Sequence, residues 1–202
     1  MDSIKEYIRN LNVDDIPWHR MITAYETAEK YPEYLSILDE MKDLEEVKKA
    51  WNSISDFEHQ STLYTPAPFA VVFLVRIYEK AKHTDNPVAI WLADKLLDEF
   101  RYYLEICNDA EKSEHADPLE NMSDILNDKY LLPEGFDLDP EYDEDDDEED
   151  IVDVDEFIAG LFPEDLFYSL YYYTGKILLE TLEINDNGKL SDMKEKIKKF
   201  LE

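Results

Sequence analysis

Apolar residues recur every three or four positions along most of this chain, as they do on one face of an α-helix. The spacing is clear at the start, where Ile4, Tyr7, Ile8 and Leu11 share a face. Alternation of the kind that marks β-strands is scarce, and the sequence has only four glycines. The pattern therefore predicts an all-α protein.

Prolines divide this pattern into helices, because a residue with a fixed φ and no N–H is tolerated in the first helical turn. Six prolines precede a helical pattern: Pro17, Pro32, Pro66, Pro87, Pro118 and Pro163. We expect helices to follow each of them, including residues 17–28 and 118–126. Asp43 and Asn86 are suited to cap the helices that begin after them. A last, basic helix is predicted from about Asp192.

Two of these helices have distinctive compositions. Residues 66–80 are apolar nearly all round, which predicts a helix buried among its neighbours. Residues 166–182 are rich in aromatic side chains, so we expect some rings to pack in the core and others to reach the surface.

Helical order is interrupted between residues 133 and 150 by Pro133, Gly135 and Pro140. Residues 143–150 are an unbroken run of acids, and like charges so dense resist packing. The sequence thus predicts a single helical domain over residues 1–202 with one acidic disordered loop at 133–150. About ten short helices would form either an α-solenoid of stacked hairpins or an irregular antiparallel bundle.

The net charge of the chain indicates which class of macromolecule it can bind. The chain has 50 acids and 20 bases, a net charge of -30, and residues 130–175 contain 17 acids and no lysine or arginine. Nucleic acid is not expected as a partner, because its binding depends on basic residues that displace counterions. A basic protein would be attracted at long range.

The location of the protein is predicted from what the sequence lacks. Residues 1–11 do not have the apolar region of a secretory signal, and the longest apolar run, 67–75, is shorter than the roughly 20 residues of a membrane-spanning helix. Cys107 is the single cysteine, so no internal disulfide is available. We expect a cytoplasmic protein that does not enter membranes.

No pattern points to catalysis, a metal or a cofactor. His19, His59, His83 and His115 are scattered, without zinc-site or nucleophile spacing. His59 and the following Gln60 are interpreted as residues that hold a turn before the core helix. The sequence therefore does not predict an enzyme.

The acidic segment partly matches a calcium-binding loop, because five acids fall at EF-hand positions 1, 3, 5, 7 and 12: Asp137, Asp139, Glu141, Asp143 and Glu148. The sixth position of such a loop requires glycine, but Tyr142 occupies it. Pro140 also stiffens the turn. A calcium site is therefore not predicted.

Two blocks of the chain have a distinctive order of residues. The first, residues 18–38, has Ala24-Tyr25, Ala28 and Pro32 ahead of two leucines, and the second has His-Gln-Ser-Thr-Leu-Tyr at 59–64 with Ala-Val-Val-Phe-Leu at 70–74. Both blocks resemble a group of bacterial HEAT-repeat-like proteins, in which the second reads His-Gln-Gly-Thr-aliphatic-Tyr before its following helix. The resemblance covers about residues 16–80.

Three positions depart from that group: Glu26 and Ser61 stand where it tends to have glycine, and Val72 where it has proline. The resemblance implies a fold of HEAT-like helical hairpins. It also implies a function, because some members look like immunity proteins encoded beside secreted bacterial toxins.

Charge and resemblance together predict a protein that binds another macromolecule. Our leading hypothesis is an immunity protein that neutralises a cognate basic bacterial toxin, and the alternative is a general α-solenoid adaptor without a toxin partner. The predicted partner-binding residues are Asp143, Glu144, Asp145, Asp146, Asp147, Glu148, Glu149, Asp150, Tyr171 and Tyr172. For the acidic run, the competing interpretation is a solvated loop that maintains solubility.

The role of the acidic run is testable by kinetics. Replacing the carboxylates of residues 143–150 with amides should slow association with a basic partner and flatten its salt dependence, while dissociation changes less. Stopped-flow measurements at two salt concentrations would detect this. Unchanged rates at both would leave only the solvated-loop interpretation, and much faster dissociation would instead indicate carboxylates buried against the partner.

Overall fold

A computed structural model describes residues 2–136, 138 and 154–185 of the chain. Within these ranges the α-helices are α1 (Asp2–Asn10), α2 (Tyr31–Glu40), α3 (Leu44–Ile54), α4 (Ala67–Lys82), α5 (Pro87–Glu111), α6 (Val154–Gly160) and α7 (Glu164–Asn185). Short 3-10 helices occupy Val13–Asp15, Trp18–Arg20, Ser55–Phe57, Met122–Leu126 and Asp128–Tyr130. One antiparallel hairpin joins β1 (Glu58–His59) to β2 (Thr62–Leu63). The all-α class is confirmed.

Helix α4 forms the centre of the fold. Every residue from Ala67 to Val75 is buried, as its continuous apolar sequence predicts. The helix packs against α2, α5 and α7, and α5 and α7 also pack against each other. The predicted core helix is thus confirmed, whereas the predicted α-solenoid is not.

The predicted caps of α3 and α5 are confirmed. Asp43 Oδ1 accepts hydrogen bonds from the N–H groups of Glu45 and Glu46 at 2.9 and 3.0 Å. Asn86 Oδ1 accepts from the Ala89 N–H at 2.8 Å. Each side chain satisfies an N–H that has no partner within the helix, so both helices begin where the sequence predicts.

Residues 17–28 do not form the predicted helix. After the 3-10 turn at Trp18–Arg20, the chain follows an irregular loop with one isolated bridge. The Thr23 N–H donates to the Glu26 carbonyl at 2.8 Å, and the Thr23 hydroxyl lies 2.9 Å from Asp56 Oδ2. These bonds satisfy the backbone and side chain outside a helix, which is how threonine competes with helical structure. The helix prediction is wrong here.

Residues 118–126 also depart from the prediction, since only the 3-10 helix Met122–Leu126 forms. Just before it, the Leu119 N–H donates to Ser169 Oγ at 2.8 Å, and the Leu119 carbonyl accepts from the Tyr173 hydroxyl at 2.7 Å. Both partners belong to α7. A contact between segments far apart in sequence therefore fixes this backbone in a non-helical conformation.

These two corrections help to explain why the described ranges contain seven α-helices where about ten are predicted for the whole chain. Two further predicted elements lie outside the described residues: the last helix, from about Asp192, and most of the acidic loop at 133–150.

The hairpin is a feature that the sequence did not predict, because strands of two residues are too short to show alternation. Its tip is formed by Gln60 and Ser61, with φ of 50° and 65°. Positive φ at both central residues is the geometry of tight hairpin turns, where asparagine and glycine are the usual choices.

Helices α5 and α7 approach closely at Cys107 and Gly175. A Cβ placed on Gly175 would lie 3.2 Å from Cys107 Cβ and 3.6 Å from its Sγ. Burial raises the pKa of the Cys107 thiol, so it stays protonated. Glycine at position 175 therefore lets α7 pack closely on the Cys107 side chain of α5, where an added methyl group would make a tight contact.

Substituting Gly175 with alanine should destabilise the protein by about 1–3 kcal/mol, because the new methyl group forces α5 and α7 apart. The loss should exceed the roughly 1 kcal/mol that alanine gains over glycine inside a helix. Gly160→Ala is the matched control, since nothing lies within 4 Å of its added Cβ. Urea unfolding measures the free energy of unfolding of both variants. A Gly175→Ala variant as stable as the wild type, or more stable, would contradict the close contact with Cys107.

Candidate functional site

The structure separates the two tyrosines that the sequence predicts as partner-binding residues. Tyr171 is buried and Tyr172 is half-buried, and the two rings line different cavities because neighbouring residues on a helix point in different directions. The predicted acidic residues 143–150 lie outside the described residues. Their role in binding stays a prediction.

Tyr171 connects α7 to the hairpin. Its hydroxyl donates to the Ser61 carbonyl at 3.0 Å and accepts from the Leu63 N–H at 3.2 Å. Burial raises the pKa of this hydroxyl, so it remains a donor at neutral pH. The tyrosine therefore positions the hairpin tip against the helix.

The larger of the two cavities, about 710 Å³ in volume, lies beside this connection. It is bounded by the last turn of α5, the segment 113–116, the first half of α7 and the hairpin tip at Ser61. We call it the acidic aromatic cleft. Its volume is in the range of ligand-binding pockets, and it is large enough to take side chains of a second protein.

One wall of the cleft is aromatic. The His115 ring stacks on the Tyr168 ring with centroids 3.5 Å apart and planes 7° from parallel. The Tyr168 hydroxyl donates to the Glu111 carboxylate. Next to this pair, the Phe167 ring is 41% exposed and lies 5.3 Å from the Tyr171 ring. An exposed phenylalanine supported by a buried tyrosine provides a firm apolar surface for a partner.

The imidazole of His115 is held in place from two sides. Besides its stacking on Tyr168, its Nδ1 lies 2.8 Å from the Ala116 carbonyl oxygen, and its Nε2 lies 3.8 Å from Glu111 Oε2. These contacts fix the ring within the wall. The geometry supports a role for His115 in shaping the cleft.

The other feature of the cleft is its negative charge. Three carboxylates line it, Asp109, Glu114 and Glu164, and none of its described lining residues is lysine or arginine. Asp109 pairs with Lys112 at 2.8 Å. Neither Glu114 nor Glu164 forms an ion pair with a residue of the described ranges. The last turn of α5, which also carries the negative end of the helix dipole, contains no base.

Carboxylates beside exposed aromatic faces are suited to a cationic side chain. The carboxylates attract and hydrogen-bond the charged group, and the ring faces attract it through their negative electrostatic potential. Since Glu114 and Glu164 have no ion-pair partner among the described residues, a cation that enters meets no competing positive group there. The cleft is therefore complementary to lysine or arginine on a protein surface.

The second cavity, of about 470 Å³, is less suited to this task. It is lined by Tyr172, but the ammonium group of Lys176 already lies 5.2 Å from the centre of that ring. A cation of the protein's own thus covers the aromatic face. We consider the acidic aromatic cleft the better candidate.

Sequence reasoning identified part of this site. The aromatic richness of residues 166–182 pointed to the part of α7 that carries Phe167, Tyr168 and Tyr171, whereas Glu114 and His115 were not predicted. They lie in a segment without helical periodicity, and only the fold brings it against α7. His59, interpreted as a turn residue, lies in β1 and bonds to the Tyr25 hydroxyl at 3.0 Å.

The described residues contain no group of three or more histidine, cysteine or acidic side chains placed to hold a metal ion, and no helix long and apolar enough to cross a membrane. Comparison of the chain with protein-family models, with curated proteins and with solved structures found no match. The resemblance to the bacterial HEAT-repeat-like group stays a prediction.

Removing the Tyr171 hydroxyl should loosen the hairpin. We expect Tyr171→Phe to lower the free energy of unfolding by about 1–3 kcal/mol, because the buried Leu63 N–H loses the hydroxyl it donates to. Tyr172→Phe is the matched control, since its half-buried hydroxyl contacts only Lys176, at 3.4 Å, among the described hydrogen bonds. Urea unfolding compares the two, and equal losses would show that Tyr171 does not hold the hairpin.

Proposed function

We propose that this protein binds a basic protein through the acidic aromatic cleft. The observation that carries the proposal is the combination of an exposed Phe167 with two carboxylates, Glu114 and Glu164, that lack ion-pair partners in the described ranges. Such a surface offers a cation both charge and an aromatic face, which are the features that Arg- and Lys-rich protein surfaces recognise.

The charge of the whole chain supports the same partner. A net charge of -30 accelerates the approach of a basic protein, and the acidic run at 143–150 adds to this attraction near in sequence to α7. Long-range charge mainly raises the association rate, whereas desolvated aromatic contacts slow dissociation. The run and the cleft would therefore contribute to different steps of binding.

We propose further that the partner is a cognate bacterial toxin and that the protein acts as its immunity protein in the cytoplasm of the producing cell. The resemblance of residues 16–80 to bacterial HEAT-repeat-like proteins supports this, since some of them look like immunity proteins. Tight, preorganised binding without chemistry is sufficient for neutralisation, so the proposal requires no catalytic residue.

Recognition of cationic side chains by the cleft is testable with a defined peptide. A decapeptide of alternating arginine and glycine should bind the full chain, and the same peptide with citrulline, the neutral analogue of arginine, should not. Glu114→Gln with Glu164→Gln should weaken binding about three- to tenfold, since each exposed pair contributes up to about 1 kcal/mol. NMR titration of the full chain measures the affinities.

The control removes two charges elsewhere. Glu33→Gln on α2 with Asp94→Asn on α5 changes the net charge equally, and both residues are exposed and unpaired among the described residues. This variant should bind within about twofold of the wild type, because general attraction through solvent is largely screened by salt. If both double variants weaken binding equally, the peptide responds only to net charge and the proposed cleft is wrong.

A further inference from the structure

Three large apolar side chains are exposed among the residues whose burial is described: Tyr25 at 73%, Ile90 at 57% and Phe167 at 41%. Two of them, Tyr25 and Phe167, are connected to the hairpin by ring contacts, although they are far apart in sequence. Tyrosine and phenylalanine are enriched in the cores of protein interfaces. The position of Tyr25 therefore needs an explanation that the cleft alone does not give.

A continuous set of contacts connects Tyr25 to Phe167. The Tyr25 hydroxyl lies 3.0 Å from His59 Nδ1, and the two rings meet edge to face with centroids 5.2 Å apart. From the hairpin, the Ser61 carbonyl accepts the Tyr171 hydroxyl at 3.0 Å, and the Tyr171 ring lies 5.3 Å from Phe167. The two exposed rings are thus connected through the hairpin and Tyr171.

The hairpin between them is held in a costly conformation. Non-glycine residues seldom adopt positive φ, yet Gln60 and Ser61 both do. Side chains stabilise this tip: Glu58 Oε1 accepts the Ser61 N–H at 2.7 Å and the Tyr102 hydroxyl at 2.8 Å. A strained turn fixed by several hydrogen bonds is preorganised, which reduces the entropy lost when a partner binds.

We infer that Tyr25, the hairpin tip and the acidic aromatic cleft form one binding surface, with Tyr25 and Phe167 as its two aromatic anchors. The inference rests on the proposed function and extends it, since it assigns a second anchor outside the cleft. The occupant is the same basic protein. The surface around Tyr25 is also acidic and therefore suits a basic protein, because Glu26 next to Tyr25 is exposed and Glu58 is half-buried.

The test uses a photo-reactive benzoylphenylalanine placed in the full chain at position 25, 167 or 90, in the cells that encode the protein. Irradiation should link the same basic protein at positions 25 and 167 but not at 90. The linked protein is then purified and titrated with variants. Tyr25→Ala and Phe167→Ala should each weaken its affinity about tenfold or more, and Ile90→Ala less than about twofold.

The outcomes separate the two proposals. If a basic protein links at position 167 but not at position 25, the second anchor is overturned and the proposed function stays intact. The same holds if the Tyr25→Ala variant binds that protein as tightly as the wild type does. If position 167 links no basic protein, both are overturned. Matching circular dichroism spectra would show that all variants fold.

Discussion

The burial of α4 is the constraint on which the rest of the described structure depends. Residues Ala67 to Val75 have no side that faces water, so apolar surfaces from other helices must cover them on every side. Helices α2, α5 and α7 meet that requirement. Because α7 has to lie against both α4 and α5, its aromatic side chains are divided between the core and the surface. The cleft is located where the first half of α7 and the end of α5 meet the segment 113–116.

The end of α5 that borders the cleft carries negative charge that does not stabilise the helix. Acidic side chains at Asp109 and Glu111 occupy the last turn of α5, at the negative end of the helix dipole, where bases would be more stabilising. One of these acids is paired with Lys112, and the other accepts the Tyr168 hydroxyl. Groups that are unfavourable for the isolated helix often mark surfaces selected for another task. This conflict is consistent with a role for the cleft in recognition.

Features predicted correctly from the sequence are those that local chemistry determines. The continuous apolar run of α4 and the capping side chains Asp43 and Asn86 act within one helix, so they can be identified without knowledge of the fold. The loops at 17–28 and 118–126 are different, because hydrogen bonds to Asp56 and hydrogen bonds with α7 fix their conformations. No local pattern contains that information.

The candidate site divides in the same way. Aromatic composition pointed to α7 and to Tyr171 and Tyr172, but it did not show that these side chains, which diverge by about 100° on the helix, line different cavities. The hairpin tip was interpreted only as a turn, and its φ values at Gln60 and Ser61 became visible in the structure. Glu114 and His115 join the site through tertiary packing, so sequence alone had no means of selecting them.

The crossing of α5 and α7 has a consequence for how the molecule can be observed. The single thiol of the chain, Cys107, lies at this crossing against Gly175, where it is 8% exposed and burial raises its pKa. A thiolate-directed reagent should react with it faster when the two helices separate, so changes in the labelling rate at a given pH report opening of the interior. The labelling rate of Cys107 thus reports opening of the core without an engineered label.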